Sequence, residues 1–176
     1  GRMGRGPRPR LLGRGRGRGG PGASLGNRFG CPVTGIDLPA EFCDGARHLT
    51  ERLGLGTKVD FQQGDALAMP FADATFDGAF SMNVSMNIAD KPALYREIRR
   101  VLKPGGWLML SELAKGSGAP MDYPTPWAAT ASESFLATPD ETRTGREAAG
   151  FGVVELRVAT EPHKAHGVAS NAARGG

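Results

Sequence analysis

Short apolar runs that each end on an acid, a glycine or an amide, with helix-periodic stretches between them, restrict the fold of this chain more than any other feature. Residues 32–36 (PVTGI) close on Asp37, residues 58–62 lead into Gly64-Asp65-Ala66, residues 76–82 run into Asn83, and residues 107–110 lead to Glu112. Each run has the length and bounds of a buried strand. Phe42, Ala46, Leu49 and Leu53 recur at helical spacing over residues 39–53, and the Gly-Leu-Gly at 54–56 stops that helix. Asp90 is placed to cap the next helix, with Pro92 in its first turn, where a missing N–H costs nothing. Leu94, Ile98, Val101 and Leu102 form its apolar face, and Lys103-Pro104-Gly105-Gly106 ends it. Thr138, Pro139 and Glu141 have the spacing of a capping box for a further helix ending at Gly150. Gly145 and Arg146 interrupt the apolar face of that helix, and residues 152–158 read as a last strand. Strands alternating with helices at this spacing predict an α/β protein: a Rossmann-like, mostly parallel sheet with helices on both faces.

Charge is unevenly divided along the 176 residues. Residues 1–20 hold seven arginines and no acid, whereas residues 21–176 hold 15 basic against 18 acidic groups. The net +4 therefore belongs to the head and says little about the body. The head is predicted to be disordered apart from a first strand at Leu11 and Leu12, followed by a core over residues 21–159 and a frayed tail over 160–176. Cys31 and Cys43 give no disulfide framework and no paired-cysteine metal site, so no metal is expected and a reducing cytoplasm suits them. No apolar run approaches the roughly 20 residues that span a bilayer, and the arginine-rich start lacks the apolar stretch of a secretory signal.

Three loops fall where an open α/β sheet binds ligands, beyond the carboxyl ends of its strands. Gly15, Gly17 and Gly19 form a glycine-rich loop that lets backbone approach a ligand closely. Asp37 lies 22 residues after Gly15 at a strand end, where a carboxylate accepts both hydroxyls of a ribose or simply closes a turn. Asp65 follows another strand and either accepts from an adenine amino group or forms the turn itself.

The segments VTGIDL (33–38), FQQGDALAMPFADATFDGAFS (61–81), SMNIADKPALYREIRRVLKPGG (85–106) and YPTPWA with SFLATPDETR (123–143) resemble class I S-adenosylmethionine-dependent methyltransferases of the type 11 methyltransferase domain. The last two are similar to those of sarcosine and dimethylglycine N-methyltransferases. The resemblance covers residues 15–158 and implies S-adenosyl-L-methionine as cofactor and a small-molecule methyl acceptor, with the subgroup pointing to an amine. It implies that Gly15, Gly17 and Gly19 pass beneath the methionine portion of the cofactor. Asp37 would take the ribose with Leu38 beside the adenine, Asp65 and Ala66 would hold the adenine, and Asn83 would reach the methionine part. Asn87, Tyr123 and Trp127 would face the acceptor, and no catalytic residue is assigned.

The departures from the family matter as much. Gly13 stands where the family carries an acid, and Arg14, Arg16 and Arg18 replace small or apolar residues of the loop. The family's lid and final antiparallel strand pair are not evident, so the domain reads as truncated at both ends. The resulting expectation is methyl transfer to a small molecule. The alternatives are a truncated or inactive methyltransferase-like protein and, further off, RNA binding through the arginine-glycine head, which lacks interleaved aromatics. Oligomeric state is not legible in the sequence.

Overall fold

A computed structural model describes residues 9–15, 31–37, 40–52, 54, 59–116 and 121–158. Its five strands are β1 (Leu11–Gly15), β2 (Val33–Asp37), β3 (Val59–Gln63), β4 (Phe76–Met82) and β5 (Leu102–Ser111). They form one sheet in the order β3-β2-β1-β4-β5 with every pairing parallel. The helices are α1 (Ala40–Arg52), α2 (Lys91–Val101) and α3 (Pro139–Ala148). Of the head, the strand at Leu11–Gly15 is the centre of the sheet, between β2 and β4.

Neighbouring residues of a strand point to opposite faces, and Leu11 and Leu12 show what that does here. Leu12 joins Ile36, Ala79, Leu94, Tyr95 and Ile98 in one core, beneath α2. Leu11 joins Val33, Val59, Phe61 and Phe80 in a second, closed by Cys43 of α1. The sheet is thus covered on both faces, which is why the adjacent residues Leu11 and Leu12 are both buried.

The two later helices start where their cap residues stand. Asp90 Oδ1 accepts from Ala93 N at 2.9 Å, satisfying a first-turn amide that has no partner inside the helix. At α3 the capping box is reciprocal: Thr138 Oγ1 accepts from Glu141 N at 3.1 Å and Glu141 Oε2 accepts from Thr138 N at 2.8 Å.

Three sequence expectations are corrected. Lys103–Gly106 do not precede the last strand; β5 begins at Leu102 and carries them as an excursion. Phe76 pairs with Leu102 and Gly78 with Trp107, so an advance of two residues on β4 faces five on β5, and Gly105 takes a φ of 76° within the detour. Nor do Gly145 and Arg146 break a packed face: they form it. A Cβ on Gly145 would lie 3.0 Å from Tyr95 Cε2, so glycine is what allows α3 to close on that ring, and Arg146 is buried beside it. Finally, residues 152–158 form no strand. Val154 is fully exposed, and among the described residues no neighbouring strand offers its backbone a ladder.

Candidate functional site

The strand order reverses at β1, whose neighbours are β2 and β4, and this is the switch point at which parallel sheets open a ligand crevice. Strands about 4.8 Å apart bring their carboxyl ends to one rim. Gly15 pairs with Met82, Asp37 with Gln63, and Met82 with Ser111. Hydrogen bonds lace the tips beyond the ladder: Gly64 N donates to Asp37 O at 3.0 Å, and Asn83 N donates to Ser111 O at 2.9 Å. Asp37, Gly64-Asp65 and Asn83 therefore belong to one edge of the molecule. Gly17, Gly19 and Leu38 lie outside the described residues.

Asp65 forms a turn. Its Oδ1 accepts from Leu67 N at 2.9 Å, which leaves Oδ2 without a hydrogen-bond partner among the described residues. Ala66 is buried in the core. The loop after it is clamped to α2: Met69 N donates to Glu97 Oε1 at 2.6 Å, and Arg100 donates to Met69 O, Phe71 O and Asp73 Oδ1. Arg100 also donates to both oxygens of Glu97. The hydrogen bonds from Arg100, and then that from Met69 N, hold the Glu97 carboxyl below its ordinary pKa against the opposing effect of burial. A lowered folded-state pKa means stability that is present above the ordinary carboxylate range and lost as pH falls through the folded value. The Glu97→Gln variant is therefore expected to lose stability less steeply in acid than the wild type. At neutral pH the difference is about 1 kcal/mol, discounted because Arg100 is partly exposed. Thermal unfolding over a pH series measures both.

Asn83 leaves β4 with a φ of 53°, the left-handed region that asparagine tolerates better than most residues. A short helical turn, Ser85–Asn87, follows. The turn is held from beneath by Glu112, just past the end of β5. Glu112 Oε2 accepts from Val84 N at 2.9 Å and Ser85 N at 3.1 Å, and Oε1 accepts from Ser81 Oγ at 3.1 Å. Burial pushes the Glu112 carboxyl above its ordinary pKa, opposed by these donors. Asn87 bonds back to Val84 O through both its backbone N and its side chain.

Asn87 also lines an open cavity of about 610 Å³ with Trp127, Glu133 and Phe135. Trp127 Nε1 donates to Ser134 Oγ at 3.1 Å, and Phe135 N donates to Met86 O at 2.8 Å, which fastens the cavity wall to the turn after β4. Tyr123 immediately precedes Pro124, a lining residue. Glu133 and Phe135 escaped the sequence reading as site residues, whereas Glu112 was legible there as an acid supporting the site from a strand end.

A family model described as a methyltransferase domain matches residues 12–110. The chain is a member of that methyltransferase family. It is 37% identical over 97 residues to a sterol 24-C-methyltransferase of Gibberella zeae, covering 52% of this chain and 26% of the relative. To an O-methyltransferase of Penicillium expansum it is 31% identical over 137 residues, covering 76% of this chain and 49% of the relative. The chain thus spans half or less of these curated relatives. Among solved structures, the cyclase SpnF superposes with a TM-score of 0.73 at 28% identity, over 84% of this chain and 53% of that one. Phosphoethanolamine N-methyltransferase 2 of Haemonchus contortus shares the fold, with a TM-score of 0.77 at 24% identity, over 92% of this chain and 37% of that one.

One position beside this rim departs from the family pattern. The position of the family's loop acid is Gly13, and its space is filled. A Cβ there would stand 2.5 Å from Phe80 Cζ, within the core closed by α1. Among the described residues no helix is long and apolar enough to cross a membrane, and no group of three or more His, Cys, Asp or Glu gathers as metal ligands.

Proposed function

We propose that this domain binds S-adenosyl-L-methionine along the rim formed by β1 to β4 and promotes methyl transfer to a small molecule held in the cavity beside Asn87. The observation that carries this reading is the hydrogen bond from Gly64 N to Asp37 O, which holds two acid-bearing strand tips together next to the switch point. The Asp37 carboxylate accepts the two ribose hydroxyls, and Asp65 Oδ2 accepts from the adenine amino group. Asn83 stands toward the methionine end, with Gly15 beneath it. When bound, the cofactor supplies a methyl group already activated by a sulfonium. The protein's task is then to hold the acceptor in line and keep water away, which is worth several kcal/mol of barrier.

The acceptor cavity is walled by two aromatic rings, Trp127 and Phe135, and its lining has one charged side chain, Glu133, which is an acid. That combination suits an amine, whose cationic form is attracted to an aromatic face. Asn87, Tyr123 and Trp127 would orient it. A base is needed only where the acceptor must lose a proton. The buried free thiols Cys31 and Cys43 fit a reducing cytoplasm.

A second reading has a specific observation in its favour: with Phe80 packed on Gly13, the family's loop acid is missing and has no room to return. The chain would then keep the fold without retaining cofactor. RNA binding through the head has less support, because Leu11–Gly15 is the central strand of the sheet rather than part of a free tail. Calorimetry with S-adenosylhomocysteine separates the first two readings. Saturable heat is expected, and its absence at millimolar ligand would overturn the proposed activity.

A further inference from the structure

We propose that Glu112 is a positioning residue which, together with Lys91, locks the segment from Asn83 to Ile88 into a rigid connector between the cofactor rim and the acceptor cavity. The consequence for binding rests on the methyl-transfer reading above, whereas the connector itself does not.

The segment is gripped by opposite charges on its two kinds of backbone group. Glu112 takes its amide donors, Val84 N and Ser85 N. Lys91 Nζ takes its carbonyls, donating to Ser85 O at 2.8 Å and Ile88 O at 3.0 Å, and it reaches across to Phe135 O as well. Two half-buried charges of opposite sign gathered on one turn would be expected to pair with each other. Among the described residues they form no ion pair. Each is directed instead at the main chain of the same six residues. Hydrogen bonds to charged groups are about twice as strong as neutral ones, so a short irregular segment acquires the fixity of a regular element.

The ends of the segment give that fixity a purpose. Asn83 is bonded to Ser111 at the strand tips, while Asn87 lines the cavity and Met86 O holds Phe135 in its wall. Moving the turn would therefore displace the rim and the cavity together. Methyl transfer requires donor and acceptor in line, and a misplacement of about 1 Å costs about 100-fold in rate. Ser81 Oγ, itself buried, completes the arrangement by fixing the other oxygen of Glu112.

Amide hydrogen exchange on the full chain without ligand tests the connector directly. In Glu112→Ala, the Val84 and Ser85 amides are expected to exchange roughly 100-fold faster while the amides inside β4 keep their protection. Glu112→Gln is expected to restore protection, since one amide oxygen still accepts from both N–H groups and the NH₂ donates to Ser81 Oγ. Lys91→Met probes the other side and is expected to speed exchange at Phe135. Should Glu112→Ala unfold the sheet, the comparison of Glu112→Gln with Lys91→Met still decides. Unchanged exchange at Val84 and Ser85 in Glu112→Ala, or at Phe135 in Lys91→Met, would overturn the proposal, as would loss of protection at Val84 and Ser85 in a folded Glu112→Gln. Calorimetry with S-adenosylhomocysteine then reads the consequence: weaker binding by roughly 10-fold or more in Glu112→Ala and recovery in Glu112→Gln. A wild-type chain that binds no analogue defeats the methyl-transfer reading, and the exchange result stands independently of it.

Discussion

The Asp37→Ala variant is expected to bind S-adenosylhomocysteine about 100-fold more weakly than the wild type. Two hydrogen bonds from ribose hydroxyls to one carboxylate are each charge-assisted, and together they are worth about 3 kcal/mol. Asp37 ends β2 beside the central strand, and its own carbonyl is already committed to Gly64 N. The lacing of the tips at this position is a main-chain bond, which the substitution leaves in place. Asp65 calls for a different substitution, because its Oδ1 builds the turn to Leu67. Asp65→Asn keeps that acceptor but turns the other oxygen, the one proposed to accept from the adenine amino group, into an NH₂ donor, so a loss of roughly 10-fold is expected there. Titration calorimetry on both variants separates a ribose-binding acid from a turn-forming one. Affinity in Asp37→Ala equal to that of the wild type would remove the nucleoside from this rim.

What the sequence made legible follows the range of the interactions concerned. The start of α2 at Asp90 and of α3 at Thr138 were readable because a cap residue and the amide it satisfies are three residues apart. The strand Phe76–Met82 was readable because its bounds are turn residues and its interior is apolar. The shared rim was readable one step further on, since parallel strands must all end on the same side and Asp37 and Asp65 stand at or just past strand ends. Glu112 was not readable in the same way. Its donors lie 27 to 31 residues earlier, and nothing local distinguishes a carboxylate that grips a distant turn from one at an ordinary strand end. Gly145 misled for the opposite reason. Read along the helix it weakens an apolar stripe; read across to Tyr95 it is the residue that permits contact. The expected strand at 152–158 had a suitable pattern and lacked only a partner, which no local pattern reports.

Gly13 presents the strongest case of a departure that is held in place by its surroundings. Gly13→Asp is expected to destabilise the fold by about 3 kcal/mol or more, through overpacking and a carboxylate thrust into an apolar core. A Cβ at this position meets three atoms of the Phe80 ring, at 2.5, 3.1 and 3.2 Å. The ring cannot withdraw easily, since it is packed with Leu11, Val33 and Phe61 and is 3% exposed. Gly13→Ala isolates the steric part and is expected to cost about 2 kcal/mol. Chemical denaturation of the single variants, of Phe80→Ala and of the Gly13→Asp/Phe80→Ala double gives a cycle whose coupling reports the conflict. The double is expected to be more stable than the sum of the two single losses implies, because the truncated ring vacates the space that the new side chain needs. Strict additivity would mean that Phe80 is not what excludes an acid here. The same four proteins address the weakened loop: if the space over Gly13 is what keeps an acid from the cofactor's ammonium end, the double variant binds S-adenosylhomocysteine more tightly than Phe80→Ala alone. Equal affinities would instead leave the missing acid without consequence for this chain, and Asp37 and Asp65 would carry the nucleoside unaided.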